Sequence, residues 1–296
     1  MSYNATSDIE SLEKAISSED GEDEIIEILC TKTPFELKEI TTQYESIYKE
    51  NLREKLQKKL KGNLKDLIDA LIQDPIEYDA NEVFKAIDGW GTDDDSLIEL
   101  ICTRSPDRLK DISKKYAETR ENTMDFDIKN DTSQAYGRLI TEMSKGERSE
   151  NPYPNINKIK EICKELKGEK NKKFDKDIFV KYFSKCSYPE LAMIYKIFEK
   201  ETGINLLDFI SEKFGADSKN LYQTIFTYLA NPNKYFAERI HSWKNNLVIR
   251  NIVSQRDNLE EIKEEYKKHY FKDLTEDIKE KTKDGYQKAL LKIVGE

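Results

Sequence analysis

The chain has 296 residues, of which 36% are charged and 37% are hydrophobic, and its formal net charge is −9. Binding to duplex nucleic acid favours a basic protein surface, so this acidic composition argues against a nucleic-acid partner. An acidic protein is also repelled by anionic lipid, and binding to such a membrane would require a local reversal of charge.

The composition predicts helices. Glycine and proline are scarce, with 11 and 7 copies, and few breakers in a chain rich in lysine, glutamate, leucine and isoleucine favour helix over sheet. No apolar run approaches the ~18 residues of a membrane span, and the polar N-terminus does not have the pattern of a secretory signal peptide. The four cysteines form no CxxC pair, which argues against a zinc site. We therefore expect a cytoplasmic protein with reduced thiols.

One pattern of residues recurs four times along the chain. The segment Cys30–Ile40 matches Cys102–Ile112 in register, with six identical positions. Each copy carries two aliphatic residues and an aromatic residue at helical spacing, followed eight and twelve residues later by two more apolar residues. Such spacings place the side chains on one side of a pair of helices. The positions are Leu37, Ile40, Tyr44, Leu52 and Leu56; Leu109, Ile112, Tyr116, Met124 and Ile128; Leu191, Ile194, Phe198, Leu206 and Ile210; and Leu259, Ile262, Tyr266, Leu274 and Ile278.

Capping patterns predict where several helices begin. Thr33-Pro34 and Ser105-Pro106 are typical of an N-cap followed by a proline at the first helical position. Asp79 with Glu82 resembles a capping box at the start of a helix that ends near Ile87. These boundaries divide each repeat into several short amphipathic helices.

The repeats predict an all-α chain of four units. One unit buries too little apolar surface to be stable by itself, so we expect the units to pack together. The segment 147–157 is the only clear linker, and we expect it to divide the chain into two halves of two repeats. The predicted boundaries are a short N-terminal head at 1–8, repeat 1 at 9–74, repeat 2 at 75–146, the linker at 147–157, repeat 3 at 158–232 and repeat 4 at 233–296.

One loop of repeat 2 has a distinctive sequence, which reads Ile87-Asp88-Gly89-Trp90-Gly91-Thr92-Asp93-Asp94-Asp95. In one interpretation it only separates two helices, with Gly89 after the first and Thr92 as N-cap of the second. In the other it is a cation site, because glycines permit a tight loop with outward carbonyls and calcium binds such oxygens together with a carboxylate. Asp131, 39 residues after Thr92, is the candidate carboxylate.

These residues resemble the annexins. The calcium signature of that family is Gly-x-Gly-Thr followed by a distant acidic residue in the same repeat, and Gly89-Trp90-Gly91-Thr92 with Asp131 matches it. Cys102–Ser105 and Asp284–Leu291 resemble further family segments, and the resemblance covers almost the whole chain. It implies four repeats of about five short helices each, packed as a slightly curved disc. The protist giardins, which resemble annexins with eroded calcium sites, are a second comparison within this family.

The resemblance also implies a ligand set for calcium (Ca²⁺). It assigns the main-chain carbonyls of Ile87, Gly89 and Gly91 and a bidentate carboxylate of Asp131. Three carbonyl and two carboxylate oxygens leave part of the ~6–8-fold coordination of calcium free for water or a lipid phosphoryl oxygen. The ion would then join an acidic protein to an anionic phospholipid membrane. Trp90, at the loop tip, either folds back on a neighbouring helix or contacts the membrane interface, where tryptophan is favoured.

The other three repeats depart from the signature. Lys59 in repeat 1 and Lys281 in repeat 4 replace the acidic residue, and neither repeat is expected to bind calcium. Repeat 3 has no glycine pair but keeps an acid, Asp217, which leaves a weak or degenerate metal site open there. The lysines of 170–173 either contact anionic headgroups directly or are ordinary solvated residues.

The sequence shows no catalytic triad pattern and no glycine-rich phosphate loop, so we do not expect an enzyme. We expect a protein, monomeric in solution, that binds anionic phospholipid membranes through calcium. It would be cytoplasmic, and peripheral on the membrane when calcium rises. The alternative is a calcium-independent structural or scaffold protein associated with the cytoskeleton, which the loss of the signature in repeats 1 and 4 favours.

Overall fold

Helices make up all the regular structure of the residues that the computed structural model describes, which are 3–88, 91–132, 134–169, 174–214 and 216–295. Twenty α-helices fall into four consecutive sets of five, which confirms the predicted all-α fold of repeats. Repeats 1 and 2 contain α1 Thr6–Ser17, α2 Glu22–Cys30, α3 Pro34–Tyr48, α4 Leu52–Lys59, α5 Gly62–Ile72, α6 Pro75–Ile87, α7 Asp94–Thr103, α8 Pro106–Thr119, α9 Met124–Asp131 and α10 Gln134–Ser144.

Repeats 3 and 4 follow the same order of elements. They contain α11 Ile156–Lys167, α12 Lys176–Lys185, α13 Tyr188–Thr202, α14 Leu206–Phe214, α15 Ala216–Ala230, α16 Pro232–His241, α17 Asn245–Ser254, α18 Leu259–Tyr270, α19 Leu274–Lys281 and α20 Asp284–Val294. A 3-10 turn, Arg256–Asn258, precedes α18. No helix within the described ranges is long and apolar enough to cross a bilayer.

The apolar stripe predicted from the repeats forms the core of each repeat. All twenty predicted positions are at most 4% exposed. In every repeat the first three lie on the third helix and the last two on the fourth, for example on α3 and α4 in repeat 1. Burial of this stripe therefore holds the third and fourth helices of each repeat side by side.

The described residues form two compact units. Unit 1 comprises Met1–Pro75 and Asn233–Glu296, and unit 2 comprises Ile76–Pro232. The predicted division of the chain into two halves at 147–157 was wrong, because this segment lies inside unit 2. Repeats 2 and 3 are joined by a direct contact, because the Tyr188 hydroxyl donates to the Cys102 carbonyl at 2.6 Å. The segment itself is bound to repeat 3, since Arg148 Nη2 donates to the Phe183 carbonyl at 2.7 Å.

The predicted N-caps of α3 and α8 are confirmed. Thr33 Oγ1 accepts from the backbone N–H of Glu36 at 3.3 Å, and the Glu36 carboxylate accepts from the Thr33 N–H at 2.8 Å. Ser105 Oγ accepts from the N–H of Arg108 at 3.2 Å. Each cap satisfies N–H groups that have no partner within the helix, so both helices begin where the sequence predicts.

The capping role predicted for Asp79 was wrong, although α6 does end at Ile87. The helix begins four residues before Asp79, which is therefore inside it and only 1% exposed. Its carboxylate accepts from Arg104 Nε and Nη2, both at 2.9 Å, and from Arg108 Nε and Nη2 at 3.1 and 3.0 Å. Burial by itself would raise the pKa of Asp79, but the two guanidinium groups lower it overall. This ion pair joins α6 to the end of α7 and to α8.

We predict that Asp79→Asn destabilises the protein by about 3 kcal/mol at neutral pH, because the buried Arg104 loses its counter-charge. Urea denaturation measures this change. Since the folded-state pKa is depressed, the contribution of Asp79 is present above its unfolded pKa of about 3.9 and is lost as the pH falls through the folded value. In Asp107→Asn, where the side chain is 77% exposed, stability should hardly change. An Asp79→Asn protein as stable as wild type would contradict the prediction.

Candidate functional site

The loop between α6 and α7 is closed by two backbone hydrogen bonds. The N–H of Asp88 donates to the carbonyl of Phe84 at 2.8 Å and completes the last turn of α6. The N–H of Asp93 donates to the carbonyl of Ala86, also at 2.8 Å, and returns the chain to the end of the same helix. The two ends of the loop are thus held together at the end of α6.

The described part of this loop offers main-chain oxygens. Gly91 has φ +90°, and a Cβ added there would meet no atom within 4 Å, so it is backbone conformation and not space that requires glycine. Among the described residues, no N–H donates to the carbonyl of Ile87 or of Gly91. Ile87 also ends α6, where the helix dipole is negative and the last carbonyls have no partner within the helix. Both features favour a cation.

The N-cap of α7 is Asp93, and the interpretation that gave this role to Thr92 was wrong. Asp93 Oδ1 accepts from the N–H of Ser96 at 3.2 Å, and Oδ2 accepts from Ser96 Oγ at 2.7 Å. The hydroxyl of Thr92 is consequently available for another partner.

That partner is the predicted acidic residue. Thr92 Oγ1 donates to Asp131 Oδ2 at 2.5 Å and lies 3.3 Å from the Asp131 backbone carbonyl. Asp131 is exposed, and it is the last residue of α9. The structure therefore brings together two parts of the signature that are 39 residues apart in sequence. The donor role of Thr92 was missed by the sequence analysis, although the threonine of the Gly-x-Gly-Thr motif could have indicated it.

The position of Asp131 depends on the turn that follows it. The N–H of Thr132 donates to the carbonyl of Ile128 at 3.0 Å, and its hydroxyl donates to the same carbonyl at 2.5 Å. A Cβ on Gly137 would lie 2.6 Å from Thr132 Oγ1, so a glycine in α10 permits this close approach. The end of α9 is therefore held against α10 with its carboxylate toward the loop.

A cleft of about 720 Å³ opens beside the loop. Its lining includes Ile87, Asp88 and Asp131. Five carboxylates and one guanidinium line it; they are Asp88, Glu118, Glu121, Asp127, Asp131 and Arg120. Such an excess of negative charge attracts cations and repels phosphate groups.

Several of the predicted site residues lie outside the part of the chain that the structure describes. Gly89, Trp90 and the lysines of 170–173 lie outside the described residues, as does the side chain of Asp217. Lys59 and Lys281 end α4 and α19 as Asp131 ends α9. The three residues therefore occupy equivalent positions of their repeats, as the sequence comparison predicts.

The described residues fit a calcium ion better than they fit a softer metal. Within the described ranges, no group of three or more histidine, cysteine, aspartate or glutamate side chains could hold a metal ion. A site built mainly from carbonyl oxygens does not need such a cluster. The carbonyls of Ile87 and Gly91 and the carboxylate of Asp131 are all hard oxygen ligands, which calcium prefers.

Comparison with known proteins agrees with this architecture. The family model described as Annexin matches residues 7–71, 78–143 and 240–293. Annexin A1 of Equus caballus is 30% identical over 305 residues, which cover 99% of this chain and 88% of that protein. The structure of annexin III superposes with a TM-score of 0.94 at 27% identity, over 99% of this chain and 94% of that one.

The giardin comparison is more distant. Calcium-bound alpha-14 giardin shares the fold at a TM-score of 0.79 and 17% identity, over 98% of this chain and 99% of that one. Annexins are in general non-enzymatic proteins that bind phospholipid in a calcium-dependent manner. The matched repeats, the relative at 30% identity and the shared architecture show that this chain belongs to the annexin family.

Proposed function

We propose that this protein binds anionic phospholipid membranes in a calcium-dependent manner through the α6–α7 loop and Asp131. The contact between Thr92 and Asp131 carries the proposal, because it joins the loop to the one carboxylate that the signature requires. We further propose that the protein is cytoplasmic, peripheral on the membrane when calcium rises, and not an enzyme.

The proposed ligands are the carbonyls of Ile87, Gly89 and Gly91 and the carboxylate of Asp131, with Gly89 assigned from the sequence signature. Calcium bound there would supply positive charge and free coordination positions for a lipid phosphoryl oxygen. The hydroxyl of Thr92 orients the carboxylate from outside the ligand set, and such partners commonly contribute strongly to metal affinity.

The charge of the surrounding surface explains why lipid binding would need calcium. The cleft beside the loop has five carboxylates against one guanidinium, and the whole chain has a net charge of −9. Anionic lipid is repelled by both. Neutralisation at the loop would remove this local repulsion, so calcium and lipid should each strengthen the binding of the other.

A single well-matched site predicts modest affinity. Half-open sites with one carboxylate fall near ~10⁻⁴ to 10⁻³ M for calcium in the absence of lipid. Repeats 1 and 4 have lysine at the acidic position and would add no avidity through calcium. A weak additional site at Asp217 stays a prediction.

We predict that Asp131→Asn abolishes calcium-dependent binding to vesicles that contain phosphatidylserine, because the only charged ligand is lost. Co-sedimentation with millimolar calcium or with chelator measures this. Asp125→Asn is the matched control, since it removes the same charge near the start of α9 and should bind like wild type. Thr92→Val should raise the calcium concentration for half-maximal binding by about tenfold, because the orienting hydrogen bond is lost.

Two outcomes would contradict the proposal. Unchanged calcium-dependent binding by Asp131→Asn would show that the site lies elsewhere. No vesicle binding by wild type, with calcium or with chelator, would favour the calcium-independent scaffold alternative.

We also propose that Trp90 contacts the membrane when the loop binds. The chain has two tryptophans, so single substitutions separate their fluorescence. Calcium and vesicles together should shift tryptophan emission to shorter wavelength in wild type and in Trp243→Phe, because the indole enters a less polar interface. The shift should be absent in Trp90→Phe, and an identical shift in that variant would show that Trp90 does not contact lipid.

A further inference from the structure

The lysine that replaces the acid in repeat 1 makes a specific contact with the loop of its own repeat. Lys59 is the last residue of α4, as Asp131 is of α9, and both helices have eight residues. Lys59 Nζ donates to the backbone carbonyl of Ser18 and, at 3.3 Å, to that of Glu19. Both carbonyls belong to the loop between α1 and α2, which is the counterpart of the α6–α7 loop.

The alignment of repeats 1 and 2 shows which residues of repeat 2 correspond to this contact. Repeat 2 follows repeat 1 by 72 residues, so Lys59 corresponds to Asp131 and Glu19 corresponds to Gly91. The carbonyl of Gly91 is a proposed calcium ligand, and the equivalent carbonyl of Glu19 accepts from an ammonium group instead. A positive charge therefore lies against the loop in repeat 1 where the proposed ion would lie in repeat 2.

The repeat 1 loop is also closed by its own backbone. The N–H of Ser18 donates to the carbonyls of Lys14 and Ala15 at 3.0 and 3.3 Å. A Cβ on Gly21 would lie 1.8 Å from the Ala15 carbonyl oxygen, so the chain closes directly over it. The carbonyl of Ala15, which corresponds to Ile87, is therefore engaged by the backbone of its own loop.

The repeat 1 loop and the start of the following helix are rich in acidic residues. The loop and the start of α2 carry Glu19, Asp20, Glu22, Asp23 and Glu24. Of these, Asp23 is paired at 2.7 Å with Lys288 of α20. An attached ammonium group offsets part of this negative charge without leaving at low calcium concentration.

We propose that Lys59 is a built-in cation of the repeat 1 loop, which takes the place of calcium and holds the loop at every calcium concentration. The comparison with repeat 2 rests on the proposed function, but the Lys59 contact itself does not. As a consequence, the calcium response of the protein does not extend to repeat 1, whose loop is ordered before any ion binds.

Hydrogen–deuterium exchange of the amides of 18–22 tests the contact. Lys59→Met removes the ammonium but keeps the length of the side chain, and exchange should become about three- to tenfold faster. The matched control is Lys58→Met, because Lys58 is exposed and has no hydrogen bond or ion pair within the described ranges. In wild type, calcium should leave the exchange of 18–22 unchanged. Unchanged exchange in Lys59→Met, or slower exchange in wild type with calcium, would overturn the proposal.

A charge reversal at Lys59 tests whether the repeat 1 loop requires a cation at the place of the Lys59 ammonium group. In Lys59→Asp the loop should exchange faster than in wild type without calcium, and millimolar calcium should slow it again, because the ion supplies the missing charge. Calcium should have no such effect in Lys59→Met, which has no carboxylate. If calcium does not slow the exchange of this loop in Lys59→Asp, the proposal that Lys59 takes the place of calcium is wrong.

The two proposals fail separately. If Asp131→Asn binds vesicles like wild type, the proposed function fails, whereas the exchange of 18–22 in Lys59→Met is measured without calcium or lipid. If that exchange does not change, the role of Lys59 fails while the site in repeat 2 is unaffected. Circular dichroism of each variant confirms that the helices are retained.

Discussion

Burial of the apolar stripe on the third and fourth helices of each repeat is the interaction on which the other features depend. It orients the fourth helix so that its last residue meets the loop after the first helix. Asp131 reaches Thr92 in this way, and Lys59 reaches Ser18 and Glu19. The many apolar contacts of the stripe thus fix the position of the polar residue at the end of the fourth helix, although that residue contributes little to the stripe itself.

The chemistry at this meeting point depends on one side chain in an otherwise shared backbone. A carboxylate at the end of α9 leaves loop carbonyls available for an ion, whereas an ammonium group at the end of α4 binds such carbonyls directly. In repeat 4, Lys281 lies 3.4 Å from the carboxylate of Glu280. Under the two proposals, repeats of one fold differ in their need for calcium while their helices remain equivalent.

Repeat 3 shows how far the sequence can change while the helices persist. It lacks the glycine pair of the repeat 2 loop, yet α11–α15 form the same five-helix order. Its core is unusually aromatic: Phe179 stacks on Phe183 at 5.7 Å and packs edge-on against Tyr222 at 6.0 Å. Apolar volume at the right positions is what the repeat requires, and the identity of the residues matters less.

The sequence by itself determined the all-α class, the four repeats, the buried stripe, the caps at Thr33 and Ser105 and the place of the candidate acid. Periodicity and capping act within a few residues, so they can be read along the chain. Only the tertiary structure decided that repeat 1 joins repeat 4 in one compact unit, that Asp79 pairs with Arg104 and Arg108, and that Lys59 binds its own loop. These partners are distant in sequence. A repeat pattern predicts which face of a helix is buried, but it does not predict which side chain of another element will contact that face.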